Sequence, residues 1–240
     1  MIVLRSLLFA GLFYLWSAAI TVGVLPLLAG PRRYTIQATR VWARGVLLLL
    51  RAVCGIAMEV RGLEHLPAGA ALIGAKHQCM FDTMGPITVF ADACYVMKRE
   101  LLRIPVYGWY CRKAGMIAID RQGGAGALRA LVAAARDRLT DGRQIVIFPE
   151  GSRMAPGVTG AYKPGVAALY RDLAVPCVPM ATNSGAHWPA HGFLRRPGTI
   201  VYQFLEPIPA GLRRTEFMRL LQERIEGASA ALLAEDSARG

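Results

Sequence analysis

"AALIGAKHQCMFDT", residues 70–83, passes from an unbroken apolar run straight into a cluster of polar side chains. Ala70 to Ala75 do not alternate apolar with polar, and a run of that length reads as a strand covered on both faces, the kind found in parallel sheets. His77 then falls at or just past the strand end, and Asp82 opens the next helix-length stretch, 82–91. On one helix, five residues would set the two side chains about 140° apart. They can meet only across a turn, and a strand–turn–helix junction provides one.

The same alternation repeats along the chain. Strand-like runs lie at 56–62, 93–97, 115–120, 143–149, 174–181 and 198–206, and the helix-length stretches 123–142, 163–173 and 212–235 fall between or after them. Stretches 123–142 and 212–235 carry apolar residues at helical spacing. The pattern predicts an α/β domain, a largely parallel sheet flanked by helices, with ligand chemistry on the loops beyond the strand ends. No repeat or low-complexity linker interrupts it after Gly55. The expected organisation is a two-helix element at 1–54 and an α/β domain at 55–240.

No charged residue occurs from Ser6 to Ala29, enough apolar chain to cross a bilayer as a helix. A cleaved signal would need a shorter apolar stretch and a small-residue cleavage site. In the following segment Arg33, Gln37, Arg40, Arg44 and Arg51 share an arc of roughly 60°, with Trp42 and Leu49 on the opposite side. A cationic stripe beside a broad apolar face suits the headgroup layer of an anionic membrane. Positive charges flank both sides of the first apolar run, so charge asymmetry names no through-crossing. The expectation is a membrane-associated helical hairpin dipping into one leaflet, with a single-span anchor as the alternative.

Formal net charge is +12 although only 18% of residues are charged, so the excess of Lys and Arg sits on an apolar chain and points to anionic partners. No nucleic-acid recognition pattern is present; a phospholipid membrane or a phosphorylated substrate fits better. Cys54, Cys79, Cys94, Cys111 and Cys177 are odd in number and scattered, which reads as reduced thiols in a cytoplasm. "HWPAH", 187–191, has metal-site spacing, but Pro189 breaks the helix and no glutamate partner is present. It reads as an aromatic loop partly facing the membrane.

Candidate chemistry gathers at the strand ends. Beside the His77–Asp82 junction, "IVIFPEGSRMAPG" runs from a buried strand into Glu150, Gly151, Ser152 and Arg153. Lys98 follows the 93–97 run and Arg121 the 115–120 run, so three strands end in cations able to grip a phosphate. An aspartate on Nδ1 of a histidine leaves Nε2 as a base suited to neutral pH.

The blocks "KHQCMFD", "GMIAIDR", "FPEGSR" and "VPCVPMATNSG" occur in that order, and over nearly the whole chain the sequence resembles the glycerophospholipid acyltransferases, most closely the bacterial 1-acyl-sn-glycerol-3-phosphate acyltransferases. Lys76 stands where Asn is common, Cys79 where Ser is common, and Ser152 for Thr. The resemblance implies that His77 is the general base and Asp82 its orienting partner. Lys98, Arg121 and Arg153 would hold the acceptor phosphate, with Glu150, Gly151 and Ser152 shaping the glycerol end. It further implies lysophosphatidic acid as acceptor, an acyl carrier protein or coenzyme A thioester as co-substrate, no metal or cofactor, and the cytoplasmic face of a bacterial inner membrane. A lyso-lipid with another headgroup, such as lyso-ornithine lipid, is the alternative acceptor. A lipid-binding protein without catalysis would have no need of the His77–Asp82 pair.

Overall fold

In a computed structural model of the chain, which describes residues 1–239, each apolar run forms a strand: β1 Ile56–Arg61, β2 Ala71–Ala75, β3 Ala93–Lys98, β4 Ile117–Ile119, β5 Gln144–Ile147, β6 Cys177–Thr182 and β7 Gly198–Phe204. They build one sheet in the order β1-β7-β6-β2-β5-β3-β4. Neighbours are parallel except β6 and β7. Every residue of β2, β5 and β6 is buried, as runs without alternation require.

Successive strand residues feed two cores. Leu72, Cys94 and Ile145 pack beneath α4 (Gly124–Thr140), α5 (Pro164–Leu173) and α7 (Arg214–Arg239). On the other face Ile73, Tyr95 and Val146 belong to one cluster with Phe9 and Phe13 of α1 (Ile2–Gly23), Val46 of α2 (Arg32–Leu49), Phe81 and Trp188. The N-terminal helices therefore roof one face of the sheet and share its core. They approach closely at Gly45, where an added Cβ would lie 2.3 Å from the Trp16 ring. Trp16 Nε1 donates to the Trp42 carbonyl (3.0 Å), and Trp42 Nε1 donates to Ser17 Oγ (3.0 Å).

The outer side of α1 is bare. Leu4, Tyr14 and Val22 are 73%, 70% and 71% exposed, on a helix long and apolar enough to cross a membrane. Along α2 and the π-helical turn Leu50–Cys54 that continues it, the expected stripe is incomplete. Arg33, Gln37, Arg44 and Arg51 are exposed, but Arg40 turns inward and donates to the carbonyls of Phe90 (2.7 Å) and Ala91.

Two further expectations need correction, and two short helices carried no signal. Stretch 82–91 is two 3-10 turns, Met80–Thr83 and Gly85–Thr88, rather than a helix. Pro86 removes a backbone donor, and the β-branched run Ile87, Thr88, Val89 disfavours helix. The short helices α3 (Tyr107–Lys113) and α6 (Ser184–His187) lie below the length at which periodicity is legible. Trp188 does not face a membrane. It is buried, stacked on Phe81 (5.6 Å) and edge-on to Phe9 (5.6 Å), with the Arg195 guanidinium 3.9 Å from its ring centre.

Asp92 fastens the roof to the sheet. Arg32 of α2 grips both its oxygens (2.9 and 2.6 Å), and buried Arg143 donates Nε to Oδ1 (3.2 Å) while its other nitrogens meet the carbonyls of Ala93, Ala114 and Gly115. Burial raises the Asp92 carboxyl, but the Arg32 hydrogen bonds and the Arg143 charge outweigh it and hold the group below its ordinary 3.8. Such a carboxylate contributes stability that is whole above pH ~4 and lost as pH falls through its folded value. Asp92→Asn should cost about 2–4 kcal/mol at pH 7, because it strands a buried guanidinium. Urea midpoints between pH 7 and 3 should fall less steeply in the variant than in the parent.

Candidate active site

The parallel run of β2, β5, β3 and β4 brings their C-terminal ends to one edge, and the candidate residues follow from those ends. The junction after β2 closes as a capping box: the Asp82 side chain accepts from the Cys79 backbone N–H, and the Cys79 side chain accepts from the Asp82 backbone. The same turn brings Asp82 Oδ2 to 3.1 Å from His77 Nδ1.

Asp82 is fully buried and surrounded by donors. Oδ2 also accepts from the backbone N–H of Gln78 (2.6 Å) and Cys79 (2.8 Å), while Oδ1 accepts from Ser184 Oγ (2.5 Å) and the Tyr202 hydroxyl (3.0 Å). Burial pushes this carboxyl up; the His77 hydrogen bond and charge, with Cys79 N–H and Ser184, more than compensate and hold it below 3.8. An ionised carboxylate only accepts, so Nδ1 carries the proton and Nε2 the lone pair. Nε2 has no hydrogen-bond partner among the described residues, and the side chain retains 13% exposure. Phe148, at the end of β5, stacks on the imidazole at 4.0 Å and fixes its plane.

The turn after β5 lies beside this pair. Gly151 adopts φ +70, a left-handed conformation that favours glycine, and a Cβ there would stand 3.3 Å from Lys163 Cγ and 3.9 Å from Arg121 Nη1. Arg121 is thereby brought to the "FPEGSR" turn, with its side chain open to solvent. Arg153, Ser152 and Lys98 are exposed. Among the described residues no hydrogen bond or ion pair joins Lys98 or Arg153 to His77. Glu150 departs from expectation. Its carboxylate is buried and turned into the protein, accepting from Lys76 Nζ (2.7 Å), the His77 backbone N–H (3.2 Å) and the Gly160 N–H (3.3 Å), so it shapes the site from behind.

Ser184, Tyr202, Phe148 and Lys163 are the site residues that sequence reading missed. Phe148 and Ser184 stood inside quoted blocks without a role; for Tyr202, mid-strand in β7, no local signal existed.

A family model described as "Acyltransferase" matches residues 57–183, the span from β1 to the end of β6 that holds His77, Asp82, Arg121 and Arg153. The chain belongs to this acyltransferase family. It is 36% identical over 198 residues to the 1-acyl-sn-glycerol-3-phosphate acyltransferase of Pseudomonas aeruginosa, covering 82% of this chain and 76% of that one. The alpha form from Bos taurus is 29% identical over 200 residues, covering 82% and 70%. The fold matches the crystal structure of the 1-acyl-sn-glycerophosphate acyltransferase from Thermotoga maritima with a TM-score of 0.80 at 21% identity, over 97% of this chain and 98% of that one.

His77→Ala should lower acyl transfer at least ~10²-fold, the scale of general-base catalysis, with the thermal midpoint nearly unchanged. Asp82→Asn should behave differently, because its amide would point a donor at donors on one side or the other. Loss of about 2–5 kcal/mol of stability is expected along with activity, read by a chemical melt run beside the assay.

Proposed function

We propose that this acyltransferase moves a fatty acyl group from a thioester to the sn-2 hydroxyl of 1-acyl-glycerol-3-phosphate, giving phosphatidic acid for phospholipid synthesis. The observation that carries the reading is the His77 imidazole, held through Nδ1 by a buried carboxylate with Nε2 unpartnered, at the strand edge where Lys98, Arg121 and Arg153 stand. The relatives' names supply the acceptor.

Nε2 takes the proton of the sn-2 hydroxyl as its oxygen attacks the thioester carbonyl. The C–O bond forms, the C–S bond breaks, and the imidazolium returns the proton to the departing thiolate. Asp82 stabilises the imidazolium, and no acyl-enzyme is required. Thiolates leave readily, so positioning and charge stabilisation account for most of the barrier lowering. Arg121 and Arg153, with Lys98, hold the acceptor phosphate; Gly151 and Ser152 border the glycerol. The donor is an acyl carrier protein or coenzyme A thioester.

The lipid acceptor is met at a membrane. The roof of residues 1–54 is its membrane-associated element and 55–240 the catalytic domain, working on the cytoplasmic face of a bacterial inner membrane. The bare side of α1 supports this reading, as do the exposed Ile104, Tyr107 and Trp109 around the start of α3, whose Tyr110 hydroxyl donates to the Thr21 carbonyl at the end of α1 (2.8 Å). Aromatic side chains beside cations are typical of the headgroup level.

Steady-state kinetics with purified protein, several lyso-lipids and both thioesters test the substrate assignment; a preference for an acceptor lacking phosphate would overturn it. Arg153→Ala should raise the acceptor KM and lower kcat/KM at least ~10-fold, since a charge-assisted phosphate contact is lost, with the donor KM unchanged. Replacing exposed Arg33, Arg44 and Arg51 with Gln should remove on the order of 1 kcal/mol each of attraction to anionic bilayers at low salt. Flotation of the triple variant with anionic vesicles should then vary little with ionic strength.

A further inference from the structure

Lys76, next in the chain to His77, is buried to 1% exposure between two carboxylates. Its Nζ donates to Glu150 Oε1 (2.7 Å), to both oxygens of Glu226 on α7 (2.9 and 2.7 Å) and to the Val158 carbonyl (3.0 Å). Glu226 also accepts from the Tyr162 hydroxyl (3.0 Å) and Thr159 Oγ1 (3.2 Å). Burial and the charges of Glu226 and Glu150 push the Tyr162 hydroxyl far up, so it stays a donor.

Residues 151–163 contain no helix or strand, yet they carry Ser152 and Arg153. Side-chain bonds from Thr159 and Tyr162 to Glu226, and from Lys76 to Val158, hold this loop against α7. The loop in turn fixes the peptide groups on either side of the catalytic imidazole: Glu150 accepts the His77 N–H (3.2 Å), and the Met154 N–H donates to the His77 carbonyl (2.8 Å). Glu226, 149 residues further along the chain than His77, is thus linked to the His77 backbone by three successive hydrogen-bonded contacts, through Lys76 and Glu150.

We propose that Lys76 and Glu226 form one positioning unit, through which the C-terminal helix holds the acceptor-binding loop in register with the general base. Neither residue touches a reacting atom. Glu150 is already the buried counter-charge of Lys76, and Glu226 adds a second carboxylate that ties the same ammonium to α7. The inference rests on the acyl-transfer reading for its kinetic consequences and on geometry alone for the mechanical ones.

The test uses the full chain. Lys76→Asn leaves Glu150 and Glu226 facing each other without a cation, and kcat should fall at least ~10-fold through misplacement of the loop and imidazole, with the donor KM unchanged. Adding Glu226→Gln to that variant removes the repulsion and should return kcat to within about 3-fold of the parent, a rescue no independent pair of structural residues would give. A single variant within 2-fold of the parent, or a double variant no better than the single, would overturn the proposal. Should Lys76→Asn fail to fold, Glu226→Gln alone keeps the Lys76–Glu150 pair. Amides of 151–163 should then exchange with deuterium at least ~10-fold faster and the acceptor KM should rise; unchanged exchange overturns the coupling. A parent protein inactive on every lyso-lipid would refute the functional reading and leave the exchange comparison to judge the unit.

Discussion

A carboxylate with no exposure to solvent must have its charge met by protein donors, and the architecture of the site follows from how Asp82 achieves this. Its own turn supplies Gln78 N–H, Cys79 N–H and His77 Nδ1, and residues a hundred positions later supply Ser184 and Tyr202. Without those donors the group would protonate or the fold would open, since an isolated buried charge costs several kcal/mol. With them it stays ionised, fixes the tautomer of His77 and leaves Nε2 without a protein partner among the described residues. One arrangement thereby solves a folding problem and orients the imidazole on which the proposed chemistry rests.

A second constraint concerns the sheet. A parallel sheet needs both faces covered. Here α4, α5 and α7 cover one face, while the other is roofed chiefly by the N-terminal hairpin, whose inner residues Phe9, Phe13 and Val46 are core and whose outer residues Leu4, Tyr14 and Val22 are bare. An apolar N-terminal element that also roofs the core cannot swing independently of the strands beneath it. Asp92 reinforces the joint, pairing with Arg32 on the roof and Arg143 at the edge of β5.

Much of this was legible along the chain. Runs such as 70–75 and 143–149 announce buried parallel strands because they lack alternation, and all seven appear where their composition puts them. The spacing of His77 and Asp82 excluded a shared helix and demanded a turn, and the structure has that turn. Legibility failed where the deciding contact was distant. Arg40 had the periodicity of a headgroup-facing arginine, but the carbonyls of Phe90 and Ala91 lie within its reach. Trp188 looked like a loop aromatic until Phe9, Phe81 and Arg195 closed around it.

Local pattern determined the α/β class, the strand-end location of the chemistry, the candidate base with its aspartate, and the apolar first helix, since each depends on neighbours a few residues apart. Tertiary structure alone decided which charges are spent inside the protein. Glu150 reads as a ligand contact in "FPEGSR" yet faces Lys76 and the His77 backbone, Lys76 takes a second carboxylate from Glu226 on the last helix, and Tyr202 reaches Asp82 from the middle of a distant strand. The reason is physical: a side chain's role at a buried site depends on which donors and acceptors desolvation leaves within about 3 Å, and chain positions far apart become neighbours only when the sheet closes.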